Sequence, residues 1–101
     1  MIVAFSVSPS AAAPDGSVSE AVARAVKVVR DSGLPNSTSS MFTEIEGEWD
    51  EVMAVVKEAV AAAGEGSARV GLVLKADIRP GHDTGQLTAK VERVEAHLRN
   101  A

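Results

Sequence analysis

The 101-residue chain contains no cysteine. Disulfides, thiolate metal sites and cysteine nucleophiles are thereby excluded. Three aromatic residues, Phe5, Phe42 and Trp49, are too few for a base-stacking platform. Ten Lys and Arg residues nowhere form a block, and 14 Asp and Glu bring the formal net charge to -4. Phosphate backbones and anionic membranes require clustered cations, so no nucleic-acid and no membrane partner is expected. No apolar run reaches membrane-spanning length. The opening MIVAFSVSPSAAAP has no Lys or Arg ahead of its apolar part, which reads as a buried strand rather than a signal peptide. Cytoplasm is the expected location.

What remains is a globular profile. Hydrophobic residues make up 46% and charged residues 24%. The length fits a single domain over 1–101, with a core small enough for self-association to help. Ile2–Ser8 alternates, Val3, Phe5 and Val7 against Ala4, Ser6 and Ser8, as a strand with two unlike faces does. Ser17-Val-Ser-Glu20 matches a capping box. Val18, Val22, Ala25, Val26 and Val29 then recur at helical spacing until Gly33 and Pro35. Asn36–Ser40 is polar and pairs as half of a hairpin with the alternating segment Met41–Glu46. Gly47 releases a second helix, about 48–63, with Trp49, Val52, Met53, Val56, Val60 and Ala63 as its stripe. Ala68–Arg79 is the strongest strand, with Val70, Leu72, Leu74, Ala76 and Ile78 on one face. A last helix, about 84–99, carries Leu87, Val91, Val94 and Leu98.

This order is βαββαβ plus a C-terminal helix, an α+β ferredoxin-like arrangement with two helices on one face of an antiparallel sheet. The other face is expected to be open, bearing Ala4, Ser6 and Ser8 and the charged row Lys75, Asp77 and Arg79. A solvated face of this kind is ordinary in antiparallel sheets. An oligomer contact with a ligand site is the functional alternative.

Five carboxylates surround Gly47 in MFTEIEGEWDEVM. Glu48, Asp50 and Glu51 suit the first turn of a helix, where the dipole favours negative charge. Glu44 reads as a solvated strand residue, and Glu46 stands where strand meets helix. No calcium-loop order accompanies them, so no metal is assigned. His82 and His97 belong to no ligand or catalytic pattern. The serines of NSTSS lack a nucleophile-elbow setting. No catalytic residue is assigned, and Trp49 is expected in the core.

The strand-and-proline opening IVAFSVSP, the helix start SVSE, the segment MFTEIEG and RVGLVLKADIR followed by KVERVEAHL together resemble the YkoF-like small thiamine-binding proteins, long carried as a domain of unknown function. Thr43, Glu46 and Gly47, and the Lys75–Asp77–Arg79 strand, are the most specific carriers. The resemblance implies a ferredoxin-like fold and self-association into dimers and tetramers. It also implies non-catalytic binding of thiamine or its hydroxymethylpyrimidine moiety as ligand, with no cofactor. The alanine-rich PSAAAPDGS departs from the shorter, more polar loop that the family pattern leads one to expect.

An aminopyrimidine needs acceptors and donors, and a thiazolium cation favours carboxylates. Glu46 or Asp77 is therefore expected to accept from the ring amine, with Ser6, Ser8, Ser39 and Thr43 supplying neutral hydrogen bonds and Lys75 and Arg79 alongside. Thr43 and Glu46 lie on opposite faces of a regular strand, so a joint role requires a bulge or a pocket at the strand end. Two rivals compete with this function. One is an assembly module without a small ligand. The other is a cofactor-independent ferredoxin-like enzyme, which would need a histidine or aromatic group inside a cavity.

Overall fold

The computed structural model describes residues 1–100. Its elements run β1 (Ile2–Pro9), α1 (Ser19–Asp31), β2 (Asn36–Thr38), β3 (Thr43–Glu46), α2 (Trp49–Ala63), β4 (Val70–Asp77) and α3 (Gln86–Arg99). The four strands form one antiparallel sheet in the order β2-β3-β1-β4. This is the ferredoxin-like α+β fold with an added C-terminal helix.

Alternation on β1 sets the two faces. Val3, Phe5 and Val7 are buried beneath α1 and α2. Opposite residues of an antiparallel pair share a face. Thr43 and Ile45 of β3, facing Phe5 and Val3, therefore join the helix side, and Ile2, Ala4, Glu44, Glu46, Lys75 and Asp77 take the other. The helices complete the core with Ala21, Ala25 and Val29 from α1 and Val52, Val56, Ala59 and Ala63 from α2. Small residues at these positions let the helices lie close to each other and to the sheet. Gly64 marks one such approach: a Cβ there would sit 2.7 Å from Val70 Cγ2.

Several expectations change. The Ser17–Glu20 capping box does not form, because α1 begins at Ser19 and the Ser17 hydroxyl is used inside the preceding turn. There it accepts from the Ser19 amide at 3.2 Å, while Asp15 holds the Ser17 amide. A reciprocal N-terminal contact is found instead at α2, where the Glu48 amide donates to the Glu51 carboxylate at 3.3 Å. Trp49 is not in the core; it opens α2 beyond the sheet and stays 53% exposed. The apolar row of β4 is also less covered than its pattern suggests, because β4 is an edge strand and α2 crosses only part of it; Leu72 and Ile78 remain exposed.

The second face is not left bare. Helix α3 begins over it, at the ends of β1 and β3, and then runs outward. None of its residues is buried, and Val91, Val94 and Leu98 stay exposed. The molecule measures 49 by 31 by 20 Å.

Candidate ligand-binding site

Strand β3 stops short. Thr43 pairs with Phe5, whereas β1 continues to Pro9 with β4 as its only partner strand. The space that a longer β3 would occupy is bounded by α1 and the turn between β2 and β3. A cavity of about 110 Å³ lies there. Phe5, Val7, Val22, Ala25 and Val26 give it apolar walls, Thr38, Ser39 and Thr43 add polar groups, and Ser6 borders it from the strand although its side chain alternates to the opposite face. Apolar walls with a few placed polar groups are the usual make-up of a small-molecule pocket.

Thr43 is the central residue of this pocket. It is one of two buried polar side chains among the described residues, 7% exposed, and lines the cavity. Its neighbour Ser39 braces the turn: its hydroxyl lies 3.1 Å from the Phe42 carbonyl and 3.3 Å from the Phe42 amide. The backbone hydrogen bond from Ser39 to Phe42, 2.9 Å, closes the same turn. Met41 stands at the tip, 75% exposed.

A second concavity lies on the opposite face, between the sheet and α3. It holds about 510 Å³, with Ile2, Ala4, Leu87 and Val91 as apolar surface and Glu44, Lys75, Asp77 and Lys90 as charges. The Lys90 ammonium binds the Asp77 carboxylate. That hydrogen bond and the ammonium charge hold Asp77 below the usual carboxylate range, against a smaller opposing effect of burial. Beyond Ile2, Asp77 and Lys90, which both hollows share, a smaller space of about 120 Å³ is lined by Arg79, His82, Gln86 and Arg93.

The residues singled out from the sequence thus separate into groups. Ser39 and Thr43 meet at the hairpin pocket, which Ser6 borders from its strand. Lys75 and Asp77 line the trough under α3, and Arg79 lies at its far end. Ser8 is exposed opposite Gly71 and lines none of these three spaces. Register from Ile2↔Glu46 to Phe5↔Thr43 is continuous, so Thr43 and Glu46 do point to opposite faces.

Glu46 has a structural task. It is 1% exposed, and its carboxylate accepts from the Gln86 amide at 2.7 Å and the Leu87 amide at 3.4 Å. Those amides are orphan donors at the start of α3. The residue preceding them is Gly85, in the left-handed region at φ 75°, with no side chain to cap them. Sequence reasoning missed this pairing. A usable signal was present, since α3 has no acidic residue in its first turn.

Among the described residues, no group of three or more His, Asp or Glu converges in a way that could hold a metal ion. No helix among them is long and apolar enough to cross a membrane.

Residues 3–95 match the model of a family described as "Thiamine-binding protein". The UPF0045 protein Mb1933 of Mycobacterium bovis is 52% identical over 99 residues, covering 97% of this chain and 94% of that protein. A UPF0045 protein of Synechocystis is 38% identical over 89 residues, 84% of this chain and 70% of its own. Among solved structures, a domain of unknown function, DUF77, from Bacillus cereus aligns with a TM-score of 0.69 at 33% identity, covering 83% of this chain and 80% of that one. A Thermotoga maritima protein described as a "putative thiamine biosynthesis/salvage protein" aligns with a TM-score of 0.73 at 26% identity, covering 90% and 96%. With a family model matched across nearly its whole length and relatives of this identity, the chain belongs to the thiamine-binding protein family, UPF0045/DUF77.

Proposed function

We propose that this protein binds thiamine, or the aminopyrimidine moiety of thiamine, without catalysing a reaction on it, and that the ring occupies the hairpin pocket. The observation that carries this reading is the buried Thr43 lining an apolar cavity beside Thr38 and Ser39. An aminopyrimidine is flat and mostly apolar, with ring nitrogens that accept and an amine that donates. Serine and threonine hydroxyls can do either. From Ser6 onward the edge of β1 that faces the pocket has no partner strand, which adds backbone donors and acceptors. A space of about 110 Å³ suits one ring rather than two. The thiazolium cation would then lie at the mouth near Met41, outside the apolar walls, and a net charge of -4 favours its approach.

Calorimetric titration with thiamine and with hydroxymethylpyrimidine tests this. Both should bind, and Thr43→Val should weaken each by about tenfold, the effect of one lost hydrogen bond in a desolvated site. Unchanged affinity in Thr43→Val and Ser39→Ala would place the ligand elsewhere. Asp77→Asn, measured in parallel, distinguishes the trough: a loss confined to that variant moves the site beneath α3.

Self-association accompanies this reading. Leu72 and Val73 on edge strand β4, and Val94 and Leu98 on α3, form exposed apolar surface that a second copy of the chain would cover. Assembly without any small ligand is the second reading that the same surface favours, and the titration separates the two.

A further inference from the structure

We propose that the trough beneath α3 is a second ligand site, for an organic phosphate: an anion with a small apolar body. The chain as a whole is acidic, yet three of its ten Lys and Arg residues, Arg79, Lys90 and Arg93, and one of its two histidines, His82, line the same hollow of about 120 Å³. Lys90 is balanced by Asp77. No carboxylate lies within ion-pairing distance of Arg79 or Arg93 among the described residues; Arg93 instead donates to the neutral Gln86 side chain at 3.3 Å. Elsewhere Arg24 is answered by Glu20 and Glu65, and Lys27 by Asp31. Arg30, Lys57, Arg69, Lys75 and Arg99 also stand without an ion pair among the described residues, so it is not the lack of a counter-charge but the meeting of Arg79 and Arg93 in one concavity that marks this hollow. Guanidinium forks match phosphate oxygens, and such charge-assisted bonds are stronger than neutral ones.

Fold and helix period explain the grouping. Gln86, Lys90 and Arg93 recur at i, i+4 and i+7 on α3, on one face. Arg79 follows β4 two places after Asp77, and His82 lies in the next turn, where its Nδ1 meets the Pro80 carbonyl at 3.2 Å. The hollow opens into the larger trough through Ile2, Asp77 and Lys90, where Ala4, Leu87 and Val91 give apolar contact. A phosphate between Arg79 and Arg93 would leave the body of its ester against that surface. This site is on the face opposite the hairpin pocket and does not depend on thiamine binding there.

The test uses the full chain and simple probes: inorganic phosphate, phenyl phosphate and benzyl alcohol, followed by heteronuclear NMR of backbone amides and arginine side chains. Phenyl phosphate should shift Arg79, Arg93 and Leu87 saturably and bind about tenfold more tightly than inorganic phosphate, because burying its ring adds apolar contact. Benzyl alcohol should not bind there. Arg93→Gln should weaken phenyl phosphate by about tenfold, and Arg93→Glu should abolish binding, while the thermal midpoint and any thiamine affinity stay at the wild-type value. Shifts scattered over the surface without saturation, or wild-type affinity in Arg93→Glu, would overturn the proposal. Equal affinity for phosphate and phenyl phosphate would reduce it to a bare anion site and remove the organic body. A loss of thiamine binding with phenyl phosphate binding intact would instead count against the hairpin-pocket reading alone.

Discussion

Two side chains supply by long range what their target helices lack locally. Glu46 on β3 accepts from the first amides of α3, which has a glycine at its N-cap. Arg24 on α1 donates to the Ala62 carbonyl at 2.9 Å, at the end of α2, which has no basic residue in its last turn. A carboxylate at a helix N-terminus and a cation at a C-terminus both complement the dipole. Replacing Glu46 with Ala leaves two amides without their acceptor and should destabilise the attachment of α3 by about 1–3 kcal/mol. Hydrogen exchange reads this directly: amides of α3 should lose protection while those of β1 and α2 keep it. Equal loss throughout the chain would make Glu46 a general core residue instead. Glu46→Gln keeps one acceptor oxygen and should fall between. Of the two carboxylates expected to meet a ligand, Glu46 and Asp77, Glu46 accepts from the first amides of a helix.

At the scale of elements, α3 is the least anchored part. Its contacts with the body concentrate in the first turn, plus the Lys90–Asp77 pair one turn later. Asp77 is held below the usual carboxylate range by Lys90, so its folded-state value lies below its unfolded one. Stability from the pair is therefore fully present above the ordinary Asp value, near ~4, and disappears as pH falls through the lower folded value. Far-ultraviolet dichroism from pH 6 to 2 should show α3 loosening at the acid end. Asp77→Asn should remove the part of that change due to the pair. Both partners are about half exposed, so salt should weaken the effect as well. A pH response identical in wild type and Asp77→Asn would show that the pair contributes nothing to holding α3.

For the whole molecule, exposed apolar surface on β4 and α3 predicts association of copies. Leu98→Asp combined with Val94→Asp should shift sedimentation toward the monomer at micromolar concentration without lowering helicity. A wild-type monomer under the same conditions would exclude this assembly. Much of the architecture was legible beforehand. Period-2 alternation at Val3, Phe5 and Val7, helical spacing through Val52 and Val56, and glycines between elements are local signals, and they fixed element type and order. The open-face charges Lys75 and Asp77 also followed, since alternation assigns a strand's faces before its neighbours are known. What alternation cannot assign is cover. Trp49 and Ile78 continue apolar patterns, yet lie exposed because the pattern runs past the elements that could bury it. Nor can it foresee the early end of β3 that opens a pocket at Ser39 and Thr43, or the meeting of Glu46 with Gln86 across 40 positions. Local residue order determined the strands, helices and their inner faces, because backbone and side-chain periodicities act within a few residues. Tertiary structure decided which polar groups became buried, paired or left facing a cavity, because those outcomes depend on where distant ends of the chain come together.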